Sequence, residues 1–181
     1  MTDEERSEQV VLVNERDEET GRMGKLEAHQ QGLLHRAFSV FVFHPDGRLL
    51  LQRRADGKYH SAGLWTNTCC SHPRPGEDTA LAARRRLWEE MGIDAAVEHR
   101  FHFIYRAPFG NGLTEHELDH VFFAVHAGEP SPDPTEASAW RWVRPEVVTD
   151  ELANDPEAFT VWFRACWNEV LRHRELLRDR A

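Results

Sequence analysis

The chain has 181 residues, of which 40% are hydrophobic and 29% charged, the balance of a globular domain with its own core rather than of a disordered or fibrous chain. Its formal net charge of −9 excludes a general affinity for nucleic-acid backbones, so any small phosphorylated ligand needs a local basic pocket. Three cysteines, Cys69, Cys70 and Cys166, two of them adjacent, make a poor disulfide framework and point to reduced thiols in a cytosolic compartment. No apolar run approaches the ~20 residues of a membrane helix, and the acidic first ten residues lack the apolar stretch of a signal peptide. A cytoplasmic protein with no membrane and no nucleic-acid partner is therefore expected.

Residues 1–8 carry no pattern and are expected to be a disordered tail, with one domain over residues 9–181. Gln9–Val13 predicts a strand, and Asn14–Gly24, charged and glycine-containing, predicts a turn or loop. His35–Phe43 predicts a strand buried on both faces, Pro45-Asp46-Gly47 a turn, and Leu49–Gln52 the returning arm of a hairpin. Residues 53–76, rich in Gly, Pro and Ser around Trp65, predict a long ordered loop with short extended pieces, a type of segment that often carries function. Glu77–Met91 predicts a helix, with Glu77 and Asp78 at the positive end of its dipole and Gly92 as its stop. Phe101–Tyr105, His120–His126 and Ala139–Val143 predict strands, Gly128–Thr135 a Pro-rich loop, and Pro156 to about Asp179 a long C-terminal helix. Strands do not alternate regularly with helices, so the fold class is α+β, a mixed or antiparallel β-sheet covered by helices.

On helix 77–91, residues four apart share a face, so Arg85 sits over Glu89 and Arg86 over Glu90, while Ala80, Ala83, Leu87 and Met91 form the apolar stripe. Alone, these are equally two surface ion pairs worth about 0.3–0.5 kcal/mol each. In extended segments, residues two apart face the same way, which pairs Cys70 with His72 and Glu115 with Glu117. Paired carboxylates with histidines suit a hard or borderline divalent ion. Taken singly, Glu-x-Glu is also the composition of a solvated edge, and Cys69 is a small core residue.

Glu77, seven residues, then Arg85, Arg86, Leu87, Trp88, Glu89, Glu90, Met91, Gly92 and Ile93 resemble the Nudix box, whose carboxylates present magnesium to a diphosphate. Ser71 stands where the first glycine of that box belongs, and Arg86 where a metal-binding glutamate belongs. A cation there repels metal and damages hydrolytic machinery, but its planar fork suits a phosphate oxygen. Lys25 to Ser39, Thr66-Asn67-Thr68-Cys69-Cys70-Ser71-His72-Pro73, Tyr105-Arg106-Ala107, Glu115-His116-Glu117 and the Trp162 region, in order over roughly residues 10–165, resemble type I isopentenyl diphosphate isomerases of the Nudix superfamily.

The resemblance implies a single Nudix-like domain and interconversion of isopentenyl and dimethylallyl diphosphate in isoprenoid biosynthesis. It implies a site for Mn²⁺, Mg²⁺ or Zn²⁺ built from His29, His35, His72, Glu115 and Glu117, although five residues separate His29 from His35 where some members have one more. A second ion, Mg²⁺, is implied at Glu90 with the substrate, and Lys25, Arg54, Lys58 and Arg86 are implied as the diphosphate clamp. Cys70 and Glu117 match the two proton-transfer residues, with Tyr105 beside Glu117, and Trp162 matches an indole that faces a carbocation, an attraction of about 2 kcal/mol when dry. The partner is then a small molecule and the chain is expected to act as a monomer. Two rivals remain at this level. One is a Nudix pyrophosphohydrolase, against which Arg86 and the Cys70/His72 pair argue. The other is a metal-binding domain without turnover, against which the full set of Cys70, Glu90, Glu115 and Glu117 argues.

Overall fold

The computed structural model describes residues 8–178. The chain runs through β1 (Gln9–Val13), β2 (Glu19–Gly24), α1 (Lys25–Gln31), β3 (His35–Phe43), β4 (Leu49–Arg54), β5 (Trp65–Thr66) and β6 (Cys69–Ser71). It continues through α2 (Thr79–Met91), β7 (Glu98–Pro108), β8 (Thr114–Val125), β9 (Ala137–Val143), α3 (Pro145–Asn154), a 3-10 turn (Pro156–Ala158) and α4 (Val161–Arg178).

Phe and Val residues fill β3, and this strand organises a mixed sheet. Along one edge β3 pairs in parallel with β8, in register from His35↔Glu117 to Phe43↔Val125. Along its other edge it meets three antiparallel partners in turn: β1 at His35, β6 at Phe38–Val40 and β4 at Val42–Phe43. β7 completes the β8 side as a long antiparallel ribbon, and β9 extends β4. Side chains alternate between faces along a strand. One face of β3 and β8 presents Phe41, Phe43, Val121 and Phe123 to Trp162, Phe163, Cys166, Trp167 and Val170 of α4. The opposite face presents Phe38, Val40, Val42, Phe122 and Ala124 to Ala82, Ala83, Leu87 and Met91 of α2. The sheet is thus covered on both faces, and each fully buried Leu, Val or Phe contributes about 1.5–3 kcal/mol.

Several element boundaries differ from the expectations, each for a physical reason. The segment read as a loop over residues 14–24 contains β2, an edge strand paired with β1 whose mostly exposed residues show no apolar alternation. β8 starts at Thr114 rather than near His120 because its first half carries the polar residues of a site, not a hydrophobic pattern. α1 and α3 are short helices absent from the sequence reading, and α3 begins with Pro145 at its first turn. Pro156 opens only a 3-10 turn, and the long helix starts at Val161. Of the expected tail, residues 1–7 lie outside the described residues, whereas Glu8 accepts a 3.0 Å bond from Lys25. Among the described residues no helix is long and apolar enough to cross a membrane.

α2 begins at Thr79 because Asp78 caps it, accepting from the amides of Ala80 at 2.9 Å and Leu81 at 3.0 Å. It ends at Gly92, whose φ of 65° favours glycine and whose Cβ-less face lies where an added Cβ would meet Ser131 O at 2.9 Å. Asp78→Ala is expected to cost about 1 kcal/mol of stability. Chemical denaturation measures this, and an unchanged midpoint would show that the cap contributes nothing.

Candidate active site and metal centre

Four buried side chains meet where β3, β6 and β8 come together. His29, His35, His72 and Glu117 each offer a donor atom, and these atoms lie within 4.8 Å of one another. The β3–β8 register puts His35 beside Glu117. His72 follows β6 on the same face as Cys70, and α1, turned back at Gly32 (φ 61°), delivers His29. His72 Nε2 lies 2.9 Å and His35 Nε2 3.5 Å from Glu117 Oε1. The rings are held from behind. His35 Nδ1 donates to Leu33 O at 2.9 Å, and His29 Nδ1 lies 2.9 Å from the Tyr59 hydroxyl. Those contacts leave His29 Nε2 and His35 Nε2 without a hydrogen-bond partner among the described residues. Buried polar nitrogens without partners are costly. Three imidazoles and a carboxylate, oriented from behind by an oxygen at two of the rings, fit a borderline divalent ion.

Glu115 stands beside this quartet, not within it. Tyr105 donates to Glu117 Oε2 at 2.6 Å and its hydroxyl lies 3.0 Å from Glu115 Oε2. His60 Nε2 lies 3.1 Å from Glu115 Oε1. Burial and the neighbouring charge of Glu117 push Glu115 well above the usual carboxylate range. Burial also opposes ionisation of Glu117, but His35 and His72 outweigh it and hold Glu117 well below that range. The phenol has one proton, so a protonated Glu115 completes a chain in which it donates to Tyr105 and Tyr105 donates to Glu117.

A cavity of about 1040 Å³ opens over this centre, lined by Cys70, His72, Tyr105, Glu115, Glu117 and Trp162 together with Lys25, Arg54, Lys58 and Arg86. The cations are balanced by carboxylates. Lys25 bonds Glu8 at 3.0 Å, Lys58 bonds Glu136 at 2.5 Å, and Arg86 reaches Glu90 at 2.8 Å and Glu136 at 3.2 Å. Burial resists a charge on Glu8, but Lys25 overrides it and brings its pKa down to about 2. Glu90 is buried behind Arg86, at the end of α2 nearest the cavity, and is not among the cavity-lining residues.

β6 pairs Cys70 with Ser39 and Cys69 with Val40, so Cys70 faces the cavity while Cys69 joins the core under α2. Burial pushes the Cys70 thiol up, with Arg54 pulling the other way from 3.9 Å. A buried polar strut precedes it. Asn67 donates to Cys69 O at 2.7 Å and accepts from Thr66 Oγ1 at 2.8 Å and from Trp162 Nε1 at 3.2 Å. Thr68 Oγ1 donates to Leu50 O and accepts from Val42 N. The Trp162 ring thereby faces the cavity with the Arg54 guanidinium 5.2 Å from its centroid.

The NUDIX domain family model matches residues 33–163. An isopentenyl-diphosphate Delta-isomerase of Aromatoleum aromaticum is 54% identical over 169 residues, 93% of this chain and 89% of that protein. One of Serratia proteamaculans is 52% identical over 86% of this chain and 87% of its own length. This chain belongs to the isopentenyl-diphosphate Delta-isomerase family of NUDIX-domain proteins. The fold reaches well beyond these isomerase relatives. DR0079 of Deinococcus radiodurans shares it with TM-score 0.75 at 22% identity over 90% of this chain and 98% of that one. The MutT protein of Methanosarcina mazei shares it with TM-score 0.65 at 18% identity over 78% and 95%.

For a member of the isomerase family, the site also holds residues that the sequence reading passed over. Tyr59 and His60 follow Lys58 directly, and His60 stacks on Phe109 while bonding Glu115. Nothing in the pattern separates His60 from the other histidines of the chain, 11 in all. Asp119 shares the face of Glu115 and Glu117 by alternation and accepts from Ser39 Oγ at 2.8 Å in full burial. Extending the Glu-x-Glu spacing by two residues would have found it. Glu136, partner of both Lys58 and Arg86, had no sequence signal.

Two predictions follow from burial. Burial, then His72 and His35, holds His29 at a pKa of about 3, and burial with Arg54 holds His60 at about 2, both below the ordinary 6.5. A depressed histidine pKa means that the unfolded chain takes up protons first, so stability is lost as pH falls from 6.5 toward 3. The melting temperature of metal-stripped protein is expected to drop between pH 7 and pH 5, and a flat profile there would contradict neutral burial. Asn67→Ala strands the Trp162 and Cys69 groups it satisfies and is expected to cost about 1–3 kcal/mol in urea unfolding.

Proposed function

We infer that this chain interconverts isopentenyl diphosphate and dimethylallyl diphosphate within the cavity, by adding a proton at one end of the allylic unit and removing one at the other. The observation that carries the reading is the placement of Cys70 and Glu117. β6 and β8 flank β3 on its two edges, and both side chains project from the same face into the same cavity. An alkene bound over β3 would meet a thiol on one side and a carboxylate–phenol pair on the other.

Alkenes are weak bases, so the acid must be well placed and sheltered. The Glu115–Tyr105–Glu117 chain supplies a proton to the terminal alkene carbon, leaving a tertiary carbocation. Cys70 takes the proton from the carbon next to the carbinol carbon, and the new double bond forms there. The step requires its thiolate against the burial that pushes its pKa up, with Arg54 at 3.9 Å the group that offsets that burial. Trp162 faces the cation between these events. In support, its ring already has a guanidinium within cation–π distance. His29, His35, His72 and Glu117, joined by Glu115 once it has given up its proton, would hold a divalent ion, whose positive charge would orient Glu117 and acidify the Tyr105 hydroxyl bonded to it. Mn²⁺, Mg²⁺ and Zn²⁺ all suit that donor set.

Lys25, Arg54, Lys58 and Arg86 take the diphosphate. Their present partners Glu8, Glu90 and Glu136 are the charges that the substrate displaces. Glu90, deeply buried and offset by Arg86, would be the ligand for a magnesium ion carried by the diphosphate. The same reading makes the acting unit a monomer in the cytoplasm with no nucleic-acid or membrane partner, in keeping with the net charge of −9 and the free cysteines.

The test is incubation of the protein with isopentenyl diphosphate and Mg²⁺ in D₂O, followed by proton and phosphorus NMR. Dimethylallyl diphosphate with deuterium in a methyl group and no free phosphate is expected. Intact, unlabelled substrate would sink the isomerase reading, and phosphate release would move the chain to hydrolysis. Cys70→Ser and Glu117→Gln are each expected to lower turnover by about 10²–10⁴-fold. A Cys70→Ser protein that still exchanged the allylic proton at the normal rate would refute the role given to the thiol.

A further inference from the structure

A second histidine cluster lies on the β7–β8 ribbon. His99, His102 and His120 each offer a ring nitrogen, and these three atoms lie within 4.8 Å of one another. In a regular strand His99 and His102 would point to opposite faces. The register shift between His99 and Phe101 inserts Arg100 as an extra residue, which turns both histidines to the face of His120, the register partner of His102. Glu115, Glu117 and Asp119 occupy the other face of β8, so this cluster is on the reverse side from the cavity.

The geometry is that of a site held from behind. His120 Nδ1 and His99 Nε2 share a hydrogen bond at 3.2 Å, whose proton a bound ion would replace. Two nitrogens bound to one tetrahedral ion at ~2.0–2.1 Å are separated by about 3.3–3.4 Å. His120 Nε2 lies 2.9 Å from Asp17 Oδ2. Asp17 is itself pinned, accepting from Arg36 Nε at 2.6 Å and, through its carbonyl, from Arg36 Nη2 at 2.7 Å. It does so from a φ of 62°, which aspartate tolerates better than most residues. The carboxylate thus fixes one nitrogen of His120 and leaves the other aimed at His99, the usual support of a metal-bound imidazole. Phe122 packs its ring edge against His99 at 5.3 Å.

We propose that His99, His102 and His120 form a second metal site, separate from the catalytic centre, for a borderline divalent transition ion such as Zn²⁺, with Asp17 orienting His120. Three imidazoles with no oxygen ligand reject Mg²⁺ and Ca²⁺. The fourth position faces solvent. A bound ion ties the β7–β8 ribbon to the turn between β1 and β2 through Asp17, so it stabilises the fold and leaves the reaction untouched.

The test compares wild-type holoenzyme with His99→Ala/His120→Ala after equilibration with Zn²⁺, desalting and metal analysis. Wild type is expected to retain one more zinc per chain and to melt at a higher temperature with zinc than without, a shift absent from the variant, while turnover is the same in both. Equal zinc content in the two proteins would overturn the proposal, as would an equal difference with Mg²⁺ in place of Zn²⁺. Asp17→Asn is expected to weaken the extra site by about 10–100-fold. Should the double variant fold poorly, His102→Ala removes one exposed ring. Its zinc affinity is expected to fall by at least about tenfold, and unchanged affinity there is equally decisive against the site.

Discussion

The parallel pairing of β3 with β8 carries both the core and the chemistry. One register places Phe41 beside Phe123 under α4 and, a few residues earlier, His35 beside Glu117 in the His29–His35–His72–Glu117 cluster. A slip of one residue would turn every side chain of β8 to the other face, burying His116 and His120 and exporting Glu115, Glu117 and Asp119. The hydrophobic half of the ladder therefore sets the register that the polar half needs. This is why so many ionisable groups survive burial: their positions are enforced by Phe and Val packing a few residues along the same strands.

That burial sets the electrostatic character of the site. Burial pushes His29, His60, His72, Glu115, Tyr105 and Cys70 away from their charged forms. Burial opposes charge on both carboxylates; His35 and His72 override it at Glu117, whereas the neighbouring Glu117 charge adds to it at Glu115. Two carboxylates a hydroxyl apart are thus pushed in opposite directions, Glu115 toward its neutral form and Glu117 toward its charged one. Along the cavity wall, Lys25, Lys58 and Arg86 are balanced by Glu8, Glu90 and Glu136. An acidic protein thereby keeps a basic pocket.

The wide reach of the fold and the narrow reach of the site are consistent with each other. Structures at 22% and 18% identity share the architecture, as expected when the core specifies layers and the loops specify chemistry. Within this frame Arg86 marks the divergence. Its guanidinium bridges Glu90 and Glu136 at the edge of the cavity, at the position where the Nudix box that helix 77–91 resembles has a glutamate.

The sequence by itself determined the elements with strong apolar periodicity and the side-chain pairs set by alternation. β3 and the α2 register of Arg85 over Glu89 and Arg86 over Glu90 were legible, as were Cys70 with His72 and Glu115 with Glu117, because each depends only on local backbone geometry. Tertiary structure alone decided what crosses between segments. It separated Glu115 from the four-residue cluster, brought Tyr59 and His60 into the site, and set Asn67 to hold Trp162. It also revealed β2 and the first half of β8, whose residues carry no apolar pattern because one is an edge and the other lines a cavity. The β-bulge that gathers His99, His102 and His120 on one face belongs to the same class. A spacing of three in a strand reads as two opposite faces until the extra residue is seen in the ladder.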